Sequence, residues 1–399
     1  MANLHNAQLT HQLTFEGAWP SAVAFVDEQR VAAGNRDGQM YVWDLTSEPV
    51  ELTEEQQKNN ELKERAANVH PMRSLDGHAN GITHLLAADG GETLISSSLD
   101  HSIGIWKTSA AAAGQGEVVL DIAQRRQRIK RDGSNEEEVL SQPGIAIETQ
   151  SPAHTLAGHN DWIQACAMSG DGRYLLSGDD AGTAILWDLP ARREIRRWQA
   201  HKMNGVVSTA LSPDGGRALL SEYRSNRGDF DRPPAQVQVV STATGELLID
   251  LLAVQFPDVE KRDNSYEYGT KWSKWVGRGF VTSAFSPDGK LLALGMGGEI
   301  GDAQVHLVDA ETGKQVRTVS KHQYGVCDLA FTADGSQLLT SGRDTTLKVI
   351  QVSDGKELAT LGKPRGGQFK DWLAAIALSP SGNRIAAADI AGMIHVWSV

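Results

Sequence analysis

The sequence predicts an all-β fold built from seven copies of one four-stranded unit. The best-preserved copies alternate strands and turns, as in "AGHNDWIQACAMSGDGRYLLSGDDAGTAILWDL", where three apolar strands are joined by two turns. The first turns of the copies, such as "SGDGR", "SPDGG", "SPDGK" and "TADGS", hold residues that favour tight hairpins. The copies lie at 16–45, 77–106, 157–189, 200–241, 279–309, 321–352 and 371–399.

A fourth strand completes each unit. Short strand-like segments come directly before several copies, as in "PMRSLDGH", "AHTLAGH" and "EIRRWQAH". Once four longer stretches are set aside, the remainder divides into copies near the ~40–45 residues typical of a four-stranded repeat. We therefore expect a single domain over residues 1–399. Its insertions lie at 46–72, 108–153, 222–234 and 254–277.

Composition limits the classes of function. The formal net charge of −12 repels phosphate backbones, which argues against nucleic-acid binding. No stretch approaches the ~20 apolar residues that cross a bilayer. The N-terminal segment lacks the charged and apolar regions of a signal peptide. We expect a cytoplasmic protein with no membrane insertion, unless an export signal precedes the given sequence.

The sequence offers no pattern for a metal or a cofactor. Cys166 and Cys327 both lie in apolar strand-like runs, where cysteine behaves as a small core residue. The histidines show no metal-ligand spacing, and no phosphate-binding loop of the Walker type occurs. The glycine-rich stretch at 295–302 is interpreted as a hairpin loop. We expect neither a metal nor a cofactor.

Dipeptides in the copies identify a family. Gly-His occurs at Gly77-His78 and Gly158-His159, and Trp-Asp occurs at Trp43-Asp44 and Trp187-Asp188. With a four-stranded repeat of this length, the chain resembles the WD40-repeat β-propellers. The resemblance implies a seven-bladed propeller of four-stranded antiparallel blades. The segment "HQLTF" at 11–15 is then expected to pair with the last blade and close the ring.

The resemblance also implies a structural role for a recurring set of polar residues. In one copy, the side chains of His78, Ser96, Asp100 and Trp106 are expected to form a hydrogen-bonded chain. In the next copy, His159, Ser177 and Trp187 fit the same pattern. Ala181 takes the place of the Asp there, and Asp180 is expected to substitute in part. Because the set recurs with variation and no G-x-S-x-G motif exposes a nucleophile, a hydrolase triad is disfavoured.

In WD40 proteins, partner binding is usual on the top face, and two insertions are expected to lie there. Arginine and aromatic residues, which are enriched at binding hot spots, are frequent in both. The alternative is that the aromatic residues hold long loops against the domain. The candidate residues in these insertions are Arg224, Arg227, Asp229, Arg232, Tyr266, Tyr268, Lys271, Trp272 and Trp275.

Three tryptophans occupy equivalent positions just before a first strand, near the expected mouth of the central channel. They are Trp19, Trp162 and Trp372. Two interpretations are open, partial burial in the domain or exposure at a peptide site. In the second interpretation, Arg343, Phe369 and Lys370 join them at the mouth.

The other two insertions are expected on the opposite face. Residues 52–69 are rich in helix formers, with Thr53 as a possible N-cap, and predict a short polar helix. The basic run "RRQRIKR" at 125–131 is followed by Asp132 and the acidic run 136–138. We interpret it as a solvated, self-compensating charged segment rather than a nucleic-acid patch.

Taken with the resemblance, these features predict a non-enzymatic protein–protein interaction scaffold. It would bind a peptide or a partner domain on the top face near the insertions 222–234 and 254–277, as a monomeric propeller within a complex. Two alternatives stay open. One is an enzyme or small-molecule-binding protein that uses the channel mouth, and the other is one scaffold domain of a larger protein.

Overall fold

The computed structural model describes residues 4–15, 19–52, 54–58, 69–119, 122–200, 204–223, 235–255, 280–362 and 372–399. These residues form mostly antiparallel sheets with few and short helices, so the predicted all-β class is confirmed. Among the helices in these ranges, none is long and apolar enough to cross a membrane.

The strands group into four-stranded modules, in which neighbours along the chain pair. Strand β1 spans Gln8–Thr14. Module 1 consists of β2 (Pro20–Phe25), β3 (Arg30–Asn35), β4 (Met40–Asp44) and β5 (Arg73–Leu75). Module 2 begins with β6 (Ile82–Ala88), β7 (Thr93–Ser98) and β8 (Ser102–Lys107). Next come β9 (Gly114–Val118) and β10 (Ile145–Gln150), and β11 (His154–Ala157) then completes module 2.

Modules 3 and 4 follow the same order without an intervening strand. Module 3 consists of β12 (Ile163–Met168), β13 (Tyr174–Asp179), β14 (Thr183–Asp188) and β15 (Arg193–Gln199). Module 4 consists of β16 (Gly205–Leu211), β17 (Arg217–Tyr223), β18 (Val237–Ser241) and β19 (Leu247–Asp250).

One long strand is shared by modules 5 and 6. Module 5 consists of β20 (Phe280–Phe285), β21 (Leu291–Asp309) and the first half of β22 (Gln315–Phe331). Module 6 consists of the second half of β22, β23 (Gln337–Gly342), β24 (Leu347–Gln351) and β25 (Glu357–Leu361). A hairpin at 295–302, as predicted from the sequence, is confirmed because β21 folds back on itself: the Ala310 N–H donates to the Lys290 carbonyl at 2.8 Å, and His306 Nε2 lies 3.1 Å from Met296 Sδ.

The last module combines both ends of the described chain. Module 7 consists of β26 (Leu373–Leu378), β27 (Arg384–Asp389), β28 (Met393–Ser398) and β1. Strand β1 pairs antiparallel with β28, as the segment at 11–15 was expected to do. The first strands of successive modules contact one another in order, and β26 also contacts β2. Apolar side chains of adjacent modules form the core between them.

One irregularity recurs between the first and second strands of the modules. The register slips by one residue near the start of the first strand, a β-bulge that turns one extra residue out of the ladder. The slips lie at Pro20/Ala22, Ile82/His84, Ile163/Ala165, Val206/Ser208, Phe280/Thr282, Val326/Asp328 and Leu373/Ala375. These strand pairs therefore share one geometry, although their sequences differ.

Four of the turns between first and second strands, in modules 3 to 6, are also built alike. The Ser169 hydroxyl donates to Asp171 at 2.6 Å, and the Ser286 hydroxyl donates to Asp288 at 2.6 Å. These hydrogen bonds are the main reason why the pKa of each carboxyl lies below its usual value. Gly172 follows with φ of 72°, a left-handed conformation that favours glycine. The turn residues seen in the sequence thus have a direct structural use.

The insertion at 108–153 forms helices and a hairpin that packs on module 1. It contains helix α2 (Ile122–Asp132), helix α3 (Glu136–Leu140) and the β9–β10 hairpin. Strand β10 pairs in parallel with β5, which extends the sheet of module 1 to six strands. Val118 and Ile147 of the hairpin join the core that includes Trp43.

Arg125 corrects the interpretation of the basic run. Its side chain is buried, and its guanidinium donates to the Gln142 carbonyl at 2.8 Å and the Pro143 carbonyl at 3.1 Å. These carbonyls follow the C-terminal end of α3, where backbone oxygens lack helical partners. At least one arginine of the run therefore has a structural role.

The remaining helices are short. Helix α1 spans Glu54–Lys58, within the stretch where a helix was predicted, although Thr53 lies outside the described residues. Helix α4 spans Leu251–Gln255 after β19, and two 3-10 turns span Leu4–Asn6 and Asp89–Gly91.

The Arg125 contacts generate a prediction with a neighbouring control. Arg125→Ala removes a buried guanidinium and its hydrogen bonds to the Gln142 and Pro143 carbonyls, so we expect the free energy of unfolding to fall by about 1–3 kcal/mol. Arg126 lies on the same helix and is exposed, so Arg126→Ala is expected to stay within about 0.5 kcal/mol of wild type. Urea denaturation of the full chain measures both. Equal effects of the two substitutions would contradict the role given to Arg125.

Candidate functional site

The polar set predicted in module 2 is hydrogen-bonded throughout. The Trp106 indole N–H donates to Ser96 Oγ at 2.8 Å, and the Ser96 hydroxyl lies 2.7 Å from His78 Nε2. His78 Nδ1 lies 2.8 Å from an Asp100 carboxylate oxygen. Burial would raise the pKa of Asp100, but hydrogen bonds from His78, Ser102 and the backbone hold that pKa well below its usual range. Each polar atom in this chain therefore has a partner.

Module 3 contains the same chain with a different aspartate. His159 Nε2 lies 2.6 Å from Ser177 Oγ, which also accepts the Trp187 indole N–H at 2.8 Å. His159 Nδ1 contacts Asp179 at 2.8 Å. The expectation that Asp180 substitutes in part is wrong. Asp179 ends β13 with its side chain fully buried, whereas the next residue, Asp180, is exposed.

Two further modules use variants of this arrangement. In module 6, His322 contacts Thr340 at 2.8 Å and Asp344 at 2.9 Å. Ile350 has no indole N–H, and the Ser320 hydroxyl contacts Thr340 Oγ1 at 2.9 Å instead. In module 7, Asp389 contacts a histidine of the third strand, His395, at 2.7 Å.

Burial decides what these histidine networks can do. The side chains of His78, His159 and His322 are 2%, 1% and 0% exposed, so a substrate cannot reach the imidazoles. A chain that supplies acceptors for buried N–H groups stabilises the fold, because an unpaired buried donor is costly. Geometry and burial thus favour a structural role over a catalytic one.

The aspartate correction can be tested within one tripeptide. Asp179→Ala leaves His159 without its acceptor in a buried position, so we expect a loss of about 1–3 kcal/mol in the free energy of unfolding. Asp180→Ala is expected to be neutral or slightly stabilising. Partial desolvation and the neighbouring charges of Asp161 and Asp179 raise the pKa of Asp180 despite a hydrogen bond with Gln164, so its ionised form is held unfavourably. Thermal and urea unfolding at pH 7 distinguish the two variants, and a larger loss for Asp180→Ala would reverse the assignment.

One end of the modules carries the three tryptophans named from the sequence. The residue after each of five second strands donates its backbone N–H to the carbonyl of the residue before the first strand. These pairs are Arg36 to Trp19, Leu99 to Gly81, Asp180 to Trp162, Arg343 to Gly325 and Ile390 to Trp372, at 2.8–3.0 Å. Trp19, Trp162 and Trp372 therefore occupy equivalent positions at what we call the tryptophan end.

The three indoles differ in exposure. Trp19 is 61% exposed and Trp162 is 46% exposed. Trp372 is partly buried, and the Arg343 guanidinium lies over its ring at 4.4 Å from the centroid. Partial burial, one of the two interpretations of the sequence, thus holds for Trp372, whereas Trp19 and Trp162 present large aromatic surfaces to solvent.

Ionisable residues near these tryptophans were not all found by sequence reasoning. Arg36 follows β3 in the position that Arg343 has after β23, and it is exposed. Asp180 holds the same position after β13, next to Trp162. Aligning the copies on the residue after each second strand would have found both.

Most of the predicted loop residues cannot be placed. Phe369 and Lys370 and the residues of the two top insertions lie outside the described residues. Those of the insertions are Arg224, Arg227, Asp229, Arg232, Tyr266, Tyr268, Lys271, Trp272 and Trp275. Their part in binding stays a prediction. In the described part of the chain, no three His, Cys, Asp or Glu side chains gather where they could hold a metal ion.

A small cavity of about 40 Å³ lies between modules 1 and 2. Its walls are mainly apolar and include Val42, Leu94 and Trp106. Arg30 and Arg73 also line it, but each is already in an ion pair, with Asp27 and Glu148 respectively. The cavity therefore offers no free charge to orient a ligand.

Comparison with protein families finds the WD40 repeat, described as "WD domain, G-beta repeat", at residues 69–107, 150–188 and 313–351. These stretches contain the three networks centred on His78, His159 and His322. The chain is also similar to proteins whose names refer to different processes. It is 21% identical over 375 residues to the ribosome biogenesis protein YTM1 of Yarrowia lipolytica, covering 86% of this chain and 68% of that protein.

Two further relatives are matched over shorter stretches. Autophagy-related protein 16 of Arabidopsis thaliana is 30% identical over 231 residues, 56% of this chain and 45% of the relative. Human WD repeat and SOCS box-containing protein 1 is 31% identical over 270 residues, 66% of this chain and 56% of the relative. The chain thus spans only about half the length of these two relatives.

Proposed function

This chain is a WD40-repeat protein, and on that premise we propose that it is a non-enzymatic protein-interaction scaffold built as one closed seven-bladed propeller. The succession of contacts between first strands, from β2 through β26 and back to β2, supports the ring. The pairing of β1 with β28 supports closure by the N-terminal strand, which removes an open sheet edge. The buried histidine networks support a structural use for the residues that resemble a triad.

The tryptophan end is the proposed binding surface for a peptide or partner domain. The observation that carries this proposal is the exposure of Trp19 and Trp162 at equivalent positions of that end. Large exposed aromatic side chains are uncommon on surfaces without a partner and are enriched at hot spots. Arg343 and Trp372, stacked on each other, add a guanidinium and a second kind of aromatic contact. The insertions 222–234 and 254–277 belong to the same proposal.

The partner itself does not follow from the relatives. Their names refer to ribosome biogenesis, to autophagy and to a SOCS box, which are different processes. Low identity and partial coverage of two of them leave this chain's process open to experiment. What transfers as a proposal is the general role of a repeat protein that works within complexes.

The proposed surface is tested by capture from native lysate with matched variants. We expect Trp19→Ala/Trp162→Ala to lose a partner that wild type retains, with hot-spot tryptophans contributing about 2 kcal/mol or more each. Leu247→Ala/Leu248→Ala is the control, because these side chains are 52% and 51% exposed on β19. Trp272→Ala/Trp275→Ala tests the second insertion in the same way. Near-UV circular dichroism confirms that each variant is folded.

The capture pattern separates the possibilities. Loss in the Trp19/Trp162 variant alone supports the tryptophan end, and loss in the Trp272/Trp275 variant extends the site to the insertion. Equal capture by wild type and by all three variants would contradict the proposed surface.

A further inference from the structure

We propose that the tryptophan end binds a bipolar peptide segment, with a carboxylate held near Arg36, a cationic side chain held near Asp161 and Asp180, and apolar residues between them. This inference rests on the proposed function and specifies the chemistry of the partner segment. The segment would lie across module 2, with one exposed indole on each side. It is based on three equivalent positions, which are basic in module 1, apolar in module 2 and acidic in module 3.

The first step is the placement of the three positions. Strand β6 contacts both β2 and β12, so module 2 lies between modules 1 and 3. The backbone hydrogen bonds at this end pair Trp19 with Arg36 in module 1 and Trp162 with Asp180 in module 3. A basic and an acidic side chain therefore hold the same place on either side of module 2, each beside an exposed tryptophan.

The middle position is small and apolar. In module 2 the equivalent pair is Gly81 and Leu99. A Cβ atom on Gly81 would lie 2.6 Å from the Arg36 carbonyl oxygen, so only glycine fits that approach. Leu99 is partly buried. Gly81 adds no side chain between Trp19 and Trp162, and Leu99 is apolar, so this pair favours apolar residues of a ligand.

Arg36, on the positive side, has no ion-pair partner in the part of the chain that the structure describes. Among the described residues, no carboxylate raises the pKa of Arg36, which desolvation by the surrounding protein lowers. The charge of Arg36 reaches His84 on β6 and, after burial, is a second cause that lowers the pKa of that imidazole to about 4. His84 is therefore neutral at pH 7, and its buried Nδ1 atom has no hydrogen-bond partner. A carboxylate brought to Arg36 would supply the missing negative charge.

The negative side, at Asp161 and Asp180, has the opposite charge. Partial desolvation and the charges of Asp161 and Asp179 raise the pKa of Asp180, against the effect of a hydrogen bond with the Gln164 side chain. The Asp179 carboxylate contacts His159 Nδ1 at 2.8 Å. Among the described residues, neither Asp161 nor Asp180 has an ion-pair partner. A lysine or arginine of the ligand would relieve this repulsion and contact the exposed Trp162 ring, an arrangement that favours cations. A ligand in the reverse orientation would place like charges together, which disfavours that orientation.

Selection from a random dodecapeptide display library tests this directly on the full chain. Wild type is expected to enrich peptides with one acidic and one basic side chain on either side of apolar residues. Arg36→Glu is expected to lose the acidic preference, and Asp161→Asn/Asp180→Asn is expected to lose the basic one. For a peptide selected on wild type, each variant should weaken the affinity by about tenfold or more in fluorescence anisotropy. Arg126→Glu, which changes an exposed arginine of α2, should leave affinity unchanged.

The outcomes distinguish this inference from the function on which it rests. Enriched peptides that need Trp19 and Trp162 but show no charge pattern would overturn the bipolar site and leave the scaffold role standing. An acidic preference that persists in Arg36→Glu would also overturn it. No enrichment by wild type would overturn both proposals for this surface. Near-UV circular dichroism of each variant excludes unfolding as the cause of a loss.

Discussion

The register between the first and second strands of each module determines which residues are buried in the core and which lie at the tryptophan end. A one-residue bulge occurs at the same point in the strand pairs from Pro20/Ala22 to Leu373/Ala375. It is accompanied, in five modules, by a backbone hydrogen bond from the end of the second strand to the residue before the first. Because side chains alternate along a strand, a slip of one residue would exchange buried and exposed positions. The register therefore sets both the core and the tryptophan end.

The same constraint explains which features the sequence could predict. Turn residues, apolar alternation and the Gly-His dipeptide are local signals, and they located the strands and the network of His78, Ser96, Asp100 and Trp106. The aspartate of module 3 was placed one residue too late, because loop spacing was copied from module 2. In the structure, the last residue of β13, Asp179, points inward and takes that role.

Non-local contacts explain what the sequence did not predict in the insertion at 108–153. The charged run at 125–138 was interpreted as a solvated segment, but the insertion at 108–153 that contains it also contributes to the core. Val118 and Ile147 find their partners only when β10 pairs with β5, more than 70 residues earlier in the chain. Arg125 is likewise satisfied by carbonyls that follow another helix. At the candidate site, the sequence identified the tryptophans, but the exposure of Trp19 and the charge contrast between Arg36 and Asp180 required the packed modules.

Hydrogen exchange at single-residue resolution on the full chain tests the shared register most directly. The backbone amides of Arg36, Leu99, Asp180, Arg343 and Ile390 all donate across the same end of their modules. We predict that all five exchange slowly, at rates close to those of the strand amides beside them. Exchange at the rate of an unprotected loop at these positions would contradict the common register, and with it the alignment of charges and tryptophans at this end.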